Sequence, residues 1–188
     1  MKITSTKFIK GVVGEDEVLR DGIPQVAFIG RSNVGKSTLI NTLTGSSVSR
    51  TSSFPGRTQE INVFLVNDSV YLVDLPGYGF ARMGGLGREK IGDLIDNYLF
   101  NNPFEQKLIV MIIDANVGMT DKDISMFEEL KEYGKNFIVI ANKIDKMNQS
   151  ESHKQMLEIK AITKDHTVIP FSSKKRAGLE KLIDTIFG

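Results

Sequence analysis

Short apolar runs alternate with amphipathic segments along the chain, a pattern that predicts βα units around a largely parallel sheet. Val26 to Ile29, Leu108 to Ile113 and Phe137 to Ala141 are almost wholly apolar, as central strands covered on both faces require. Ile61 to Val66 and Val70 to Val73 are parted by Asn67, Asp68 and Ser69, a polar turn suited to an antiparallel hairpin at one side of the sheet. Ile91, Leu94, Ile95, Tyr98 and Leu99 fall at helical spacing, and Asn101, Asn102 and Pro103 close the run. Thr120 with Asp123 reads as a capping pair that opens a helix burying Ile124, Phe127 and Leu130 and stopping at Gly134. Met156, Ile159 and Ile162 mark another helix, and Leu179, Leu182, Ile183 and Ile186 place an amphipathic helix at the C-terminus. The expected fold is α/β, with a mostly parallel mixed sheet and helices on both faces.

Composition narrows the class without naming a function. A chain of 188 residues with a formal net charge of +1 is long enough for one good core and short for two. No apolar run approaches the roughly 18 residues of a membrane span. Met1 to Lys10 alternates polar and apolar residues and lacks a secretory pattern, so a cytoplasmic location is expected. The absence of cysteine excludes disulfides, thiolate catalysis and cysteine metal sites. The near-neutral charge argues against a globally basic nucleic-acid binder, DNA included.

Two stretches fall outside the alternating pattern. Ser46 to Gln59 is rich in Ser, Thr, Gly and Pro, and Gly77 to Gly87 holds five glycines. Long connections of this kind are either functional loops or plain surface loops, and the second should have a freely moving backbone.

Gly30-Arg31-Ser32-Asn33-Val34-Gly35-Lys36-Ser37 fits a phosphate loop between a predicted strand and a helix containing Leu39, Ile40 and Leu43. In such a loop backbone N–H groups turn inward around phosphates, Lys36 reaches the β and γ phosphates, and the Ser37 hydroxyl ligates Mg²⁺. At average residue usage only about 1% of chains this long would match by chance, so a mere glycine turn is discounted. Asp74-Leu75-Pro76-Gly77 ends a predicted strand, where the carboxylate can hold Mg²⁺ through water and the glycine N–H can meet the γ-phosphate. Alone it would be an ordinary turn; its order after the phosphate loop gives it weight.

Asn142-Lys143-Ile144-Asp145 follows another strand at the carboxyl edge of the sheet. The Asp145 carboxylate can accept from guanine N1–H and the exocyclic amine, donors that adenine lacks, and so selects GTP over ATP. Lys143 can lie over the base, and Asn142 can tie this loop to the phosphate region. Ser172-Ser173-Lys174 after Val168 to Phe171 is a less specific loop whose backbone can donate to the guanine oxygen. In Pro55-Gly56-Arg57-Thr58-Gln59, Thr58 either ligates Mg²⁺ when the γ-phosphate is present or simply opens the strand from Ile61.

Together these motifs resemble the TRAFAC-class GTPases and, within them, the EngB (YihA/YsxC) family. The resemblance spans almost the whole chain and is carried by GRSNVGKSTLIN from Gly30, RTSSFPGRTQ from Arg50 and DLPGYGFA from Asp74. The chain departs from many relatives at Asn142, where they carry threonine. The resemblance implies a single G domain of the P-loop NTPase fold over residues 23–188, preceded by an extension over 1–22 packed on or near it. It also implies a monomeric switch binding GTP/GDP and Mg²⁺, acting on a large ribosomal subunit precursor or its rRNA and linked to cell division and septation. A scaffold for division proteins that binds guanine nucleotide without hydrolysing it is the competing reading.

The candidate nucleotide set is Gly30, Arg31, Ser32, Asn33, Val34, Gly35, Lys36, Ser37, Thr38, Gly56, Arg57, Thr58, Asp74, Gly77, Asn142, Lys143, Asp145, Ser172, Ser173 and Lys174. Within it Ser37, Thr58 and Asp74 would serve the metal, and Lys36, Thr58 and Gly77 the chemistry. Tyr78 stands where Ras-like GTPases place the glutamine that orients the attacking water, so slow intrinsic turnover is expected. Asn33 either helps bind K⁺ beside the phosphates or only shapes the loop. Arg50, Arg57 and Arg82 either meet rRNA phosphates or are solvated.

Overall fold

A computed structural model of the chain describes residues 2–49, 60–79, 85–101 and 106–188. Among these, seven strands form one sheet: β1 (Thr6–Val12), β2 (Gln25–Gly30), β3 (Ile61–Val66), β4 (Val70–Asp74), β5 (Leu108–Asp114), β6 (Phe137–Asn142) and β7 (Val168–Pro170). Their order is β1-β3-β4-β2-β5-β6-β7. β3 pairs antiparallel with both β1 and β4, while every pairing from β4 through β2, β5 and β6 to β7 is parallel. The expected hairpin is present, with Asn67 and Asp68 at φ 50° and 51° in its turn.

The helices are α1 (Lys36–Thr44), α2 (Gly85–Leu99), α3 (Asp121–Glu132), α4 (Gln149–Thr163) and α5 (Leu179–Phe187). The period-two alternation of the buried strands sorts them onto two faces. Ala27, Ile29, Ile109, Met111 and Ile113 pack in one core with Leu94 and Ile95 of α2, Phe127 and Leu130 of α3, and Ile159 of α4. Val26, Phe28, Leu108, Val110 and Ile112 pack in the other with Leu39, Ile40 and Leu43 of α1 and Leu182 and Ile186 of α5. The described residues thus form a mixed, mostly parallel sheet between two helical layers.

The structure differs from the sequence reading in two places. The N-terminal segment contributes β1, an edge strand whose register runs from Thr6 opposite Val66 to Val12 opposite Ile61, with a slip between Phe8 and Lys10. Most of its residues are exposed, so it lacks the continuous apolar run of the central strands. The Thr4 and Ser5 N–H groups donate to Asn67 Oδ1 at 2.8 and 3.1 Å, fastening the segment to the β3–β4 turn. The second difference is the glycine-rich stretch. α2 begins at Gly85, so Gly85 and Gly87 lie in the helix and not in a loop. Two glycines cost roughly 2 kcal/mol of helix propensity, which burial of Ile91, Leu94, Ile95, Tyr98 and Leu99 readily exceeds.

β2 sits at the point where the order of strand addition reverses. From it the chain passes through α1 to β3 and β4 on one side, then through α2 on the opposite face to β5 on the other side. In sheets of this kind the crevice beyond the carboxyl ends of the strands at that point receives the ligand. Among the described residues no helix is long and apolar enough to cross a membrane.

Candidate functional site

The loop from Gly30 to Ser37 leaves β2 at that crevice and enters α1 at Lys36. Gly35 caps α1 with φ 101°; a side chain there would be strained, and its Cβ would stand 2.5 Å from Asn142 Nδ2. Glycine is needed on both counts. Thr38 lies in the first turn of α1. Desolvation by the surrounding loop pulls the Lys36 ammonium below the usual lysine range, and the Asp74 charge opposes it. The start of α1 thus combines helix N-terminal N–H groups, the positive end of the helix dipole and a lysine, an arrangement suited to phosphate.

Asp74 ends β4 and is 2% exposed. Its Oδ2 accepts from Ser49 Oγ at 3.1 Å and Ser37 Oγ at 3.4 Å, whereas its Oδ1 is buried with no hydrogen-bond partner. Burial pushes the carboxyl above the usual range, against Lys36, Ser49 and Ser37. An orphaned carboxylate oxygen beside the Ser37 hydroxyl suits a hard cation that takes oxygen ligands, so the residues fit Mg²⁺. Ser49 was not anticipated. It is held by Asn41, whose Nδ2 donates to Ser49 O at 2.7 Å and whose Oδ1 accepts from Ser49 N at 2.8 Å.

The stretch after Asp74 lies directly on the phosphate loop. A Cβ on Gly77 would come within 2.9 Å of Ser32 N and 3.0 Å of Ser32 Cα. Tyr78 N donates to Gly30 O, and Ser32 N donates to Tyr78 O, each at 3.3 Å.

At the carboxyl end of β6, Asn142 Nδ2 donates to Val34 O at 2.8 Å, and Lys143 Nζ donates to Asn33 O at 2.6 Å. Lys143, at φ 67°, also pairs with Asp114 Oδ2 at 2.7 Å. These contacts tie the two expected ligand loops together across more than 100 residues of sequence. Asp114 was missed; its position at the carboxyl end of β5 is the signal that marks it. The Asp145 Oδ1 accepts from Ser172 Oγ at 2.6 Å. That bond is the largest influence holding the Asp145 carboxyl below its usual range. Ser172 is buried and also accepts from Lys175 N at 3.1 Å. The Ser173 hydroxyl is buried without a partner, and Lys174 is exposed.

Asn33 is exposed at φ 64°. Among the described residues its carbonyl engages Lys143. Gly56, Arg57 and Thr58 lie outside the described residues, as do Arg50 and Arg82.

A family model described as 50S ribosome-binding GTPase matches residues 25–143, and one described as the elongation factor Tu GTP-binding domain matches residues 105–188. The probable GTP-binding protein EngB of Clostridium perfringens (strain 13 / Type A) is 40% identical over 191 residues, covering 100% of this chain and 96% of its own length. That of Metamycoplasma arthritidis (strain 158L3-1) is 41% identical over 178 residues, covering 95% and 97%. Among solved structures, a probable GTP-binding protein engB superposes with a TM-score of 0.72 at 29% identity over 87% of this chain and 96% of that one. A single-substitution variant of Aquifex aeolicus Era bound to GDP·AlF4⁻ gives 0.73 at 29% identity over 86% and 55%. Full-length identity, a matching GTPase model and a shared fold agree with the geometry of the two loops, and the chain belongs to the EngB family of GTP-binding proteins, with a GTPase domain.

Proposed function

We propose that the chain is a slow, Mg²⁺-dependent GTPase switch in assembly of the large ribosomal subunit, and through it serves cell division and septation. The observation that carries the nucleotide part is the tie between base loop and phosphate loop, from Asn142 to Val34 O and from Lys143 to Asn33 O. It fixes a carboxylate for the base, Asp145, relative to a cradle for phosphates. Gly30 to Thr38 would surround the phosphates, Asp145 would read guanine, and Ser172 to Lys174 would border the base. Gly56 and Arg57 would join from the segment before β3. Ser37 directly, Asp74 through water, and Thr58 would hold Mg²⁺. When bound, that ion would neutralise charge developing on the phosphate oxygens.

Lys36 would draw electron density from the β–γ bridge, and the Gly77 N–H would orient the γ-phosphate while water attacks in line. The Tyr78 hydroxyl donates to Asp123 Oδ1 at 2.9 Å, which supports slow turnover because it leaves that side chain no amide-like role toward water. Asn33 as a K⁺ ligand belongs to the same proposal; equal turnover in K⁺ and Na⁺ at matched ionic strength removes it.

The ribosomal role rests on likeness. The matching family model is described as ribosome-binding, and a structural neighbour, Era, was crystallised with MgGDPNP and nucleotides 1506–1542 of 16S ribosomal RNA at a TM-score of 0.71. In this reading the protein is a cytoplasmic monomer, with residues 1–22 as an extension docked on a G domain of 23–188. Its partner would be a large-subunit precursor or its rRNA.

The decisive experiment is multiple-turnover phosphate release from GTP with and without ribosomal particles, beside Asp145→Asn. GTP turnover stimulated by particles, and a switch of the variant to xanthosine nucleotides, is the expected result. Nucleotide binding without turnover would favour the scaffold reading, and unchanged GTP binding in the variant would refute the base assignment.

A further inference from the structure

Asp123, in the first turn of α3, is wholly buried and lies outside every nucleotide motif. Its carboxylate gathers three parts of the molecule. Oδ2 accepts from Arg31 Nε of the phosphate loop at 2.9 Å and from the N–H and hydroxyl of Thr120 at 3.0 and 2.8 Å. Oδ1 accepts from the Tyr78 hydroxyl at 2.9 Å. The preceding residue, Lys122, donates from Nζ to Gly79 O at 3.1 Å. Two consecutive side chains of α3 therefore grip two consecutive residues of the segment that follows Gly77.

Capping alone would not need this arrangement. Thr120 would be satisfied by a solvated Asp123, without an arginine from 92 residues away and a phenol from 45 away. A buried carboxylate fully hydrogen-bonded to a guanidinium and a phenol is rigid, and loss of any one partner leaves charge poorly compensated. What the grip holds is the docked backbone, in which the Ser32 N–H turns to Tyr78 O and the Tyr78 N–H to Gly30 O. Ser32 belongs to the part of the phosphate loop that faces Gly77, the side a γ-phosphate approaches. In the docked arrangement its N–H is spent on protein; a γ-phosphate that claimed it would have to displace the segment, which a diphosphate would leave in place.

We propose that Asp123, seconded by Lys122, is a positioning residue that latches residues 77–79 onto the phosphate loop and biases the switch toward the diphosphate state. This rests on the reading of the chain as a guanine-nucleotide switch, and the test separates the two. Affinities for fluorescent GDP and a non-hydrolysable GTP analogue, each with Mg²⁺, are measured on the full chain and on Tyr78→Phe, Asp123→Asn and Lys122→Ala.

Tyr78→Phe keeps the ring and removes only the bond to the carboxylate, and Lys122→Ala changes an exposed residue, so folding is preserved in both. A hydrogen bond to a charged group is worth enough to shift the analogue-to-GDP affinity ratio about tenfold. The expected result is such a rise for Tyr78→Phe and Asp123→Asn, a smaller rise for Lys122→Ala, and GDP affinity within about threefold of the parent. An unchanged ratio, a shift toward GDP, or parallel loss of both affinities in Tyr78→Phe overturns the latch while leaving the switch reading intact. Absence of guanine-nucleotide binding by the parent chain overturns both.

Discussion

At Asp145, the proposed base-reading group, one hydrogen bond acts on both charge and orientation. The Ser172 hydroxyl donates to the ionised carboxylate at 2.6 Å, which favours the charged form and depresses its pKa. Because the folded value lies below the unfolded one, the bond contributes stability above the unfolded pKa and loses it as pH falls through the folded value. Near neutrality the carboxylate is fully charged in either case, so the bond serves orientation there more than ionisation. Ser172→Ala should raise the Asp145 pKa toward the ordinary carboxylate value, narrowing the acid range over which the carboxylate stays ionised. It should also weaken guanosine nucleotides several-fold at pH 7 through lost orientation. Carboxyl-carbon NMR titration reads the first and nucleotide titration the second; an unmoved pKa would show that other neighbours set it. Asp123 behaves differently at this scale. Its pairing with Thr120 three residues away is legible from spacing, but its contacts with Arg31 and Tyr78 arise only when loops distant in sequence converge.

Elements with continuous burial were the readable ones. β5 and β6 are apolar up to their last residues, Asp114 and Asn142, because helices cover both faces, and α5 repeats Leu179, Leu182 and Ile186 on one face. Leu182 is wholly buried in the core shared with α1. Leu182→Ala should destabilise the domain by about 2–5 kcal/mol, seen as a lower urea midpoint with an unchanged slope. Its exposed neighbour Lys181 should tolerate alanine within about 0.5 kcal/mol. Equal effects at the two positions would mean that α5 does not pack as described. β1 escaped the same reasoning because an edge strand needs little burial to pair: its backbone bonds to β3 and the clasp at Asn67 hold it. The start of α2 escaped because glycine spacing reports local freedom, while the helix is fixed by apolar residues a turn or more downstream.

At the scale of the whole molecule, the site gathers the carboxyl ends of several strands. β2 supplies the phosphate loop, β4 supplies Asp74, β6 supplies Asn142 and Lys143, and β7 leads to Ser172. A ligand spanning these positions binds only the folded arrangement, so its free energy adds to that of folding. At a concentration 100 times its dissociation constant GDP should contribute about 2.7 kcal/mol. For a domain of this size that corresponds to roughly 5–10 °C in melting temperature. In the proposed reading the orphaned Asp74 Oδ1 is where a metal would enter this balance. With Mg²⁺ present, that buried oxygen, through water, and the phosphates would share a cation; with EDTA, the carboxylate would face phosphate charge without it and the stabilisation by GDP should fall. Asp74→Asn keeps the shape but removes the charge that calls for the ion, so GDP should stabilise this variant almost equally with Mg²⁺ and with EDTA. Differential scanning fluorimetry over the four combinations of protein and cation measures the coupling. If EDTA diminishes the GDP shift as much in Asp74→Asn as in the parent, magnesium acts elsewhere and the assignment of Asp74 to the metal fails.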